Sequence, residues 1–262
     1  MTETLARGSY RERNATADRA LDILLLFSDE RLALSGAEVA RHLGVARSTA
    51  YRYLQSLLAA GLVEEGPAGY RIGPRVLGLA RLARKGIGLE DAARPVLRSL
   101  RDELGETVLL TRRSGSMVVC LDRVETDRPV RLTYERGHIL PVNAGASALA
   151  LLAWEGREDI SSVLGHRQLT KLTRRTLTDP DELMARLGRI RARGVAVTRE
   201  ELDEDIGGVA APVFGTDGVV RAAVGVAAPV SRLTAGRAGE VERRVRSAAA
   251  EIAERLASLV PG

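Results

Sequence analysis

Residues 44–65 read GVARSTAYRYLQSLLAAGLVEE, and no other stretch constrains the fold as tightly. Ala50, Leu54, Leu57 and Leu58 recur at i, i+4, i+7 and i+8, so the spacing predicts a helix with one apolar stripe turned toward a core. Gly61 is expected to end it, because glycine enters the left-handed conformation of a helix C′ position without steric penalty; Leu62 then supplies the hydrophobic contact of the cap. The remaining face carries Arg47, Ser48, Thr49, Tyr51, Arg52 and Gln55. A rigid rod therefore presents long hydrogen-bonding side chains to something outside the fold.

The segments around it supply a context. TADRALDILLLFSDE (Thr16 to Glu30) reads as a helix with Ala20, Leu21, Leu24, Leu25 and Phe27 inward. SGAEVARHLG (Ser35 to Gly44) is a short second helix, with Ser35 and Glu38 spaced as a capping box and Gly44 closing it. Helix, short helix, tight turn and polar-faced helix is the helix-turn-helix order, in which the last helix enters the major groove of DNA. LVEE, the turn GPAG and YRI then form a small hairpin, Leu62 to Glu65 against Tyr70 to Ile72, which reads as a wing. Arg71 and Arg75 flank it at positions suited to phosphates, contacts that position without specifying. Ala46 stands at the expected N-cap of the third helix and offers no side-chain oxygen to the free amides there. A three-helix protein-binding module with a wet polar face is the bland alternative; the caps, turn spacing, wing and residue types taken together favour DNA.

Charge points the same way. Of the 39 basic and 34 acidic residues, 13 basic and 9 acidic fall in residues 1–85, so the excess of positive charge lies in the first third. An anionic partner is expected there. At 262 residues the chain has room for two domains. No apolar run approaches a membrane span and no secretory pattern opens the chain, so a cytoplasmic protein without a membrane partner is expected. The single cysteine, Cys120, excludes an internal disulfide and a cysteine metal cluster, which fits a reducing compartment.

Beyond residue 74 the pattern changes. IGPRVLGLARLARKG (Ile72 to Gly86) carries Val76, Leu79, Leu82 and Ala83 at helical spacing and reads as a linker helix. Leu89 to Leu104 is helical despite Pro95, which either sits early in the segment or kinks it. TVLLTRR, MVVCLDRVE and VRLTYE are strand-like, and Ser147 to Glu155, Asp159 to Gly165 and Asp179 to Arg193 are helical, the last with Pro180 in its first turn. VAVT, GVAAPVF and VVRAAVGVAAPV return to strands before a terminal helix from about Ala238 to Leu259. The order predicts an α+β sheet domain with helices packed on it.

Catalytic chemistry is not evident in this second region. Cys120 lies in an apolar strand, where a lone cysteine is most often a small buried hydrophobe. His42, His138 and His166 stand far apart and form no ligand-spaced pair, so neither a metal site nor a cofactor is expected. REELDEDIGG (Arg199 to Gly208) is read as a solvated acidic loop, and NAGASA lacks the lysine of a phosphate-binding loop. PVNAGASALALLAW is the one suggestive stretch. Asn143, Ala144, Gly145 and Ala146 are small, and the helix from Ser147 points its first amides back at them, which suits a ligand carboxylate; a close-packed strand-to-helix turn explains the residues equally well. Leu132, Val209 and Val224 are the apolar strand residues expected to hold the rest of such a ligand.

RALDILLLFSDE, LSGAEVARHLGVARSTAYRYLQSLLAAGLVEE and YRIGPRVLGLA, followed by ILPVNAGASALALLA, RARGVAVTREELDEDIGGVAAPVF and GVVRAAVGVAAPVSRLT, together resemble the IclR family of bacterial transcriptional regulators over nearly the whole chain. The resemblance implies an N-terminal tail (1–15), a winged helix-turn-helix domain (16–73), a linker helix (74–86) and a GAF-like effector-binding and oligomerisation domain (87–262). It implies a pocket for a small organic acid or aromatic effector, at positions matched here by Ala146, Ser147, Thr198, Gly208, Gly225 and Ala227. Asn143 and Leu149 depart from the histidine and lysine usual in that loop, and Asp205 from a glycine; Thr198, Gly208, Gly225 and Ala227 replace more polar types, which suggests a less polar pocket. The expectation is a repressor of a metabolic operon that binds double-stranded operator DNA as a homodimer or a dimer of dimers. A dimer also follows physically, since one small helix reads few base pairs. The competing reading is a GAF-like redox enzyme using Cys120.

Overall fold

The computed structural model describes residues 15–85, 88–115, 117–126, 128, 134–165 and 169–259. The chain divides into two compact units, Met1–Gly86 and Ile87–Gly262.

In the first unit, α1 (Ala15–Leu24), α2 (Gly36–Leu43) and α3 (Arg47–Ala59) are followed by the hairpin β1 (Val63–Gly66) and β2 (Gly69–Ile72) and by α4 (Arg75–Lys85). The capping box of α2 is present as expected: Glu38 N donates to Ser35 Oγ at 3.2 Å, and Ser35 N to Glu38 Oε2 at 2.8 Å. The Ser35 hydroxyl, which donates to Glu38 Oε2 at 2.7 Å, and the Ser35 amide together hold the Glu38 carboxyl below its usual range. Gly61, with φ 69°, ends α3. Gly61 N donates to Leu58 O and Leu62 N to Leu57 O, each at 2.9 Å, the paired bonds of a Schellman cap. Ala50, Leu54 and Leu57 are buried against Ile23, Leu34, Val39 and Leu43.

Three details differ from the sequence reading. Helix α1 stops at Leu24 rather than reaching Glu30, and its buried residue is Ile23, while Leu21 and Leu25 are exposed; the apolar run LLLF is longer than the face that packs. The hairpin pairs Val63 with Ile72, one residue on from the expected start at Leu62. Leu34 also forms a bridge to Tyr70, with reciprocal backbone bonds of 2.8 Å, so the wing is tied to the turn before α2.

The second unit is a six-stranded, wholly antiparallel sheet in the order β5-β4-β3-β8-β7-β6, built from β3 (Thr107–Ser114), β4 (Met117–Val124), β5 (Ile139–Leu140), β6 (Ala196–Arg199), β7 (Ile206–Phe214) and β8 (Val220–Pro229). Helices cover both faces. On one lie α5 (Leu89–Leu104) and α9 (Ala235–Ser258), whose Leu97, Leu100, Val241 and Val245 pack on Val209, Val224 and Val226. On the other lie α6 (Ala146–Leu152), α7 (Arg157–Gly165) and α8 (Pro180–Arg193), whose Leu149, Leu152, Ile160 and Leu187 pack with Leu109, Cys120 and Ala210. Pro95 is the seventh residue of α5, inside the helix rather than in its first turn. Asp179 caps α8, with Glu182 N donating to Asp179 Oδ1 at 2.9 Å and Pro180 in the first turn.

The strand expected over VRLTYE falls at residues 130–133 outside the described residues, with Tyr134 and Glu135 not in a strand, and Gly86 is likewise outside them. The acidic loop is a correction. Glu201 is buried, its Oε1 2.7 Å from an Arg186 nitrogen, and burial raises its carboxyl pKa despite that partner.

Candidate functional site

Two surfaces gather the candidate side chains, one in each unit. In the first, burial of Ala50, Leu54 and Leu57 fixes the rotation of α3 and leaves Arg47, Ser48, Tyr51, Arg52 and Gln55 exposed on the other side, with Thr49 half-buried. Ala46 sits at the N-cap and forms no side-chain cap bond, so the first amides of α3 lack a side-chain acceptor there. Tyr51 leans back over the start of α2, where its ring lies against Gly36. Beside the helix, the wing exposes Arg71, whose Nε lies 2.7 Å from Glu64 Oε1; Arg71 thus reaches a phosphate only by leaving that partner. Arg75 is exposed at the first position of α4.

The second surface is a cavity of about 450 Å³, including its open mouth, on the α6 face of the sheet. Ala144, Gly145, Ala146, Ser147 and Ala148 form one wall and Thr198, Gly207, Gly208, Val226 and Ala227 the sheet floor. Leu109, Tyr134, Leu140, Leu202 and Ile206 complete it. Among the described residues, no charged side chain lines it.

Strand periodicity explains which expected residues meet here. Side chains alternate across the sheet, so Gly208 and Ala227 face α6 while Val209 and Val224 belong to the α5–α9 side; those two are a correction to the expected apolar wall. Gly225 faces α6 but lies beneath Ser147. A Cβ there would stand 2.9 Å from the Ala210 Cβ and 3.0 Å from Ser147 Oγ, so glycine is what lets α6 approach the sheet. Asn143 does not line the cavity either. Its amide nitrogen donates to Thr170 O at 3.1 Å and Leu177 O at 3.0 Å, pinning the segment before α8. Leu132 lies outside the described residues. The expected set does not include Leu109, Tyr134, Leu140, Ala148, Leu202, Ile206, Gly207 or Val226; Leu202 sits in the acidic stretch, where an apolar side chain amid six charged neighbours is the available signal.

Cys120 has no catalytic setting. It is fully buried, and desolvation together with the nearby Asp122 carboxylate pushes its thiol pKa up to about 11. No group of three or more His, Cys, Asp or Glu suited to a metal occurs among the described residues, and none of their helices is long and apolar enough to cross a membrane.

Comparison with known proteins matches both units. The IclR helix-turn-helix domain model matches residues 16–67, and the model for the C-terminal part of the bacterial transcriptional regulator IclR matches residues 82–254. The chain is 34% identical over 222 residues to the HTH-type transcriptional regulator BhcR of Paracoccus denitrificans, covering 84% of this chain and 79% of that protein. It is 36% identical over 193 residues to the HTH-type transcriptional regulator TtgV of Pseudomonas putida, covering 73% and 72%. A crystal structure of an IclR transcriptional regulator from Silicibacter sp. TM1040 superposes with a TM-score of 0.83 at 32% identity, covering 93% of this chain and 96% of that one. An IclR homologue from Microbacterium hydrocarbonoxydans, crystallised with 4-hydroxybenzoate, superposes with a TM-score of 0.78 at 25% identity, covering 93% and 100%. These relatives are transcriptional regulators rather than enzymes, and the redox reading of Cys120 gives way to them. With a winged helix-turn-helix in its first unit and a helix-covered antiparallel sheet in its second, the chain belongs to the IclR family of bacterial transcriptional regulators.

Proposed function

We propose that this cytoplasmic regulator represses a metabolic operon by binding operator DNA through α3, and that a small organic effector bound in the cavity of the second unit alters that binding. The exposed face of α3 is the observation that carries the DNA half: Arg47, Ser48, Thr49, Tyr51, Arg52 and Gln55 supply base-reading groups, and Arg71 and Arg75 supply phosphate contacts. The cavity carries the effector half, through Ala144, Gly145, Ala146, Ser147, Thr198, Gly208 and Ala227, with Asn143 and Gly225 supporting the wall and Val209 and Val224 the sheet behind it. Its lining of apolar and small residues with a few hydroxyls suits a small organic molecule, and the relative crystallised with 4-hydroxybenzoate favours an aromatic one.

The acting species in this reading is a homodimer, or a dimer of dimers, with residues 74–86 as the linker. Leu77 on α4 is 73% exposed and Leu82 56%, and Leu21 and Leu25 of α1 are also exposed, an apolar complement that a second copy would cover. An effector shifts operator affinity only as far as it binds the DNA-competent and incompetent arrangements differently.

Electrophoretic titration of an operator fragment with and without candidate effectors tests the pair of claims. Leu202→Trp, which fills the cavity from a half-exposed loop position, is expected to bind operator normally and lose the effector response. A response that survives Leu202→Trp places the effector elsewhere. Sedimentation analysis that gives a monomer at operator-binding concentration overturns the dimer.

A further inference from the structure

Tyr134 lines the cavity, is only 5% exposed, and its hydroxyl is buried without a hydrogen-bond partner among the described residues. Buried tyrosine hydroxyls ordinarily find a partner, because an unpaired one forfeits its hydration for nothing. The carbonyl and the ring of the same residue have partners. Arg123 Nη1 donates to Tyr134 O at 2.8 Å, and the His138 ring stands edge-on to the tyrosine ring with centroids 5.8 Å apart. Those contacts hold the ring and leave its hydroxyl without a partner among the described residues.

The rest of the lining restricts what its partner can be. Two further buried hydroxyls, on Ser147 and Thr198, line the same space, and the other described lining residues are apolar or glycine. A carboxylate enclosed there would meet hydroxyl and backbone dipoles but, among the described lining residues, no cationic side chain, and burial of an unpaired charge is opposed far more strongly than burial of a neutral hydroxyl. A hydroxyl both donates and accepts, so it pairs with a tyrosine, serine or threonine whichever way each proton points.

We infer that the cavity selects an uncharged, ring-sized molecule bearing a hydroxyl, a phenol rather than an aromatic carboxylate, and that Tyr134 is the residue that recognises that hydroxyl. The inference rests on the cavity being the effector site and narrows the class of effector.

Three molecules of the same shape separate the possibilities: toluene, p-cresol and 4-methylbenzoate, each titrated by calorimetry into the full-length wild type, Tyr134→Phe and Leu202→Trp. p-Cresol is expected to bind the wild type most tightly and to lose roughly tenfold in affinity in Tyr134→Phe, as for one lost hydrogen bond. Toluene, which has no group for the tyrosine to meet, is expected to bind Tyr134→Phe as it binds the wild type. Leu202→Trp is expected to bind none of them. Equal p-cresol affinity in wild type and Tyr134→Phe, tighter binding of 4-methylbenzoate than of p-cresol, or no p-cresol binding at millimolar concentration overturns the inference. p-Cresol binding that persists in Leu202→Trp instead overturns the assignment of the cavity, whatever the tyrosine does.

Discussion

Tyr51 of α3 stands edge-on to Tyr70 of the wing, with ring centroids 6.5 Å apart and planes at 76°. The contact joins the helix offered to DNA with the hairpin beside it, and the same Tyr51 ring covers Gly36 at the start of α2. An edge-to-face aromatic pair contributes about 0.5–1.5 kcal/mol beyond its buried area. Tyr51→Phe keeps the ring and is expected to unfold like the wild type, whereas Tyr51→Ala is expected to lose about 1 kcal/mol or more in chemical denaturation. Equal stability of Tyr51→Ala and wild type would show that the pair does not brace the wing.

The Arg71–Glu64 ion pair on the wing makes a separate prediction. Because the pair is exposed, it contributes little to stability. Its removal frees a cation for phosphate, so Glu64→Gln is expected to tighten binding to all DNA sequences alike and to steepen the salt dependence by at most about one counterion. Unchanged affinity at low salt would place Arg71 away from the backbone.

Glu106 is fully buried at the foot of β3, with its carboxylate 2.9 Å from Arg232 and 3.0 Å from Arg237. Those arginines belong to the turn after β8 and the first turns of α9, so one side chain ties three elements together. Glu106→Ala leaves the partly buried guanidinium groups without their counter-charge and is expected to cost about 3–5 kcal/mol in unfolding free energy. A loss below about 1 kcal/mol would show that the arginines simply turn to water.

Cys120 gives a pH prediction with a definite sign. Its pKa in the folded chain is about 11, above the ordinary 9.0, so folding favours the protonated thiol. The stability this contributes is complete below about pH 9 and is lost as pH rises toward 11. At pH 8 roughly one thiol in a thousand is ionised. A thiol reagent at that pH is therefore expected to label Cys120 only at the rate of unfolding, and rapid labelling of the native protein would contradict its burial.

The parts legible in the sequence are those governed by local rules. Ser35 with Glu38, Gly44, and Gly61 with Leu62 each act within a few residues of themselves, and the structure shows their caps where the spacing puts them. The sidedness of the second unit was not legible in the same way. Val209 and Gly208 are neighbours in a run of apolar and small residues that is buried on both faces, and nothing local says which face receives α6. Leu202 and Tyr134 reach the cavity from loops through tertiary packing, and Glu201 is buried by Arg186, fifteen positions earlier in the chain. Asn143 reads as part of a ligand loop from sequence alone because its partners, the carbonyls of Thr170 and Leu177, lie about thirty residues away.

The central claim is that α3 reads DNA sequence. Its most direct test is a genome-wide footprint of the purified full-length protein beside Arg52→Ala. The wild type is expected to protect a small set of two-fold related sites spaced as whole helical turns, and Arg52→Ala to lose about 1–3 kcal/mol at one base position in each half-site. Protection with no sequence preference, or the same sites held with the same discrimination by Arg52→Ala, would contradict it.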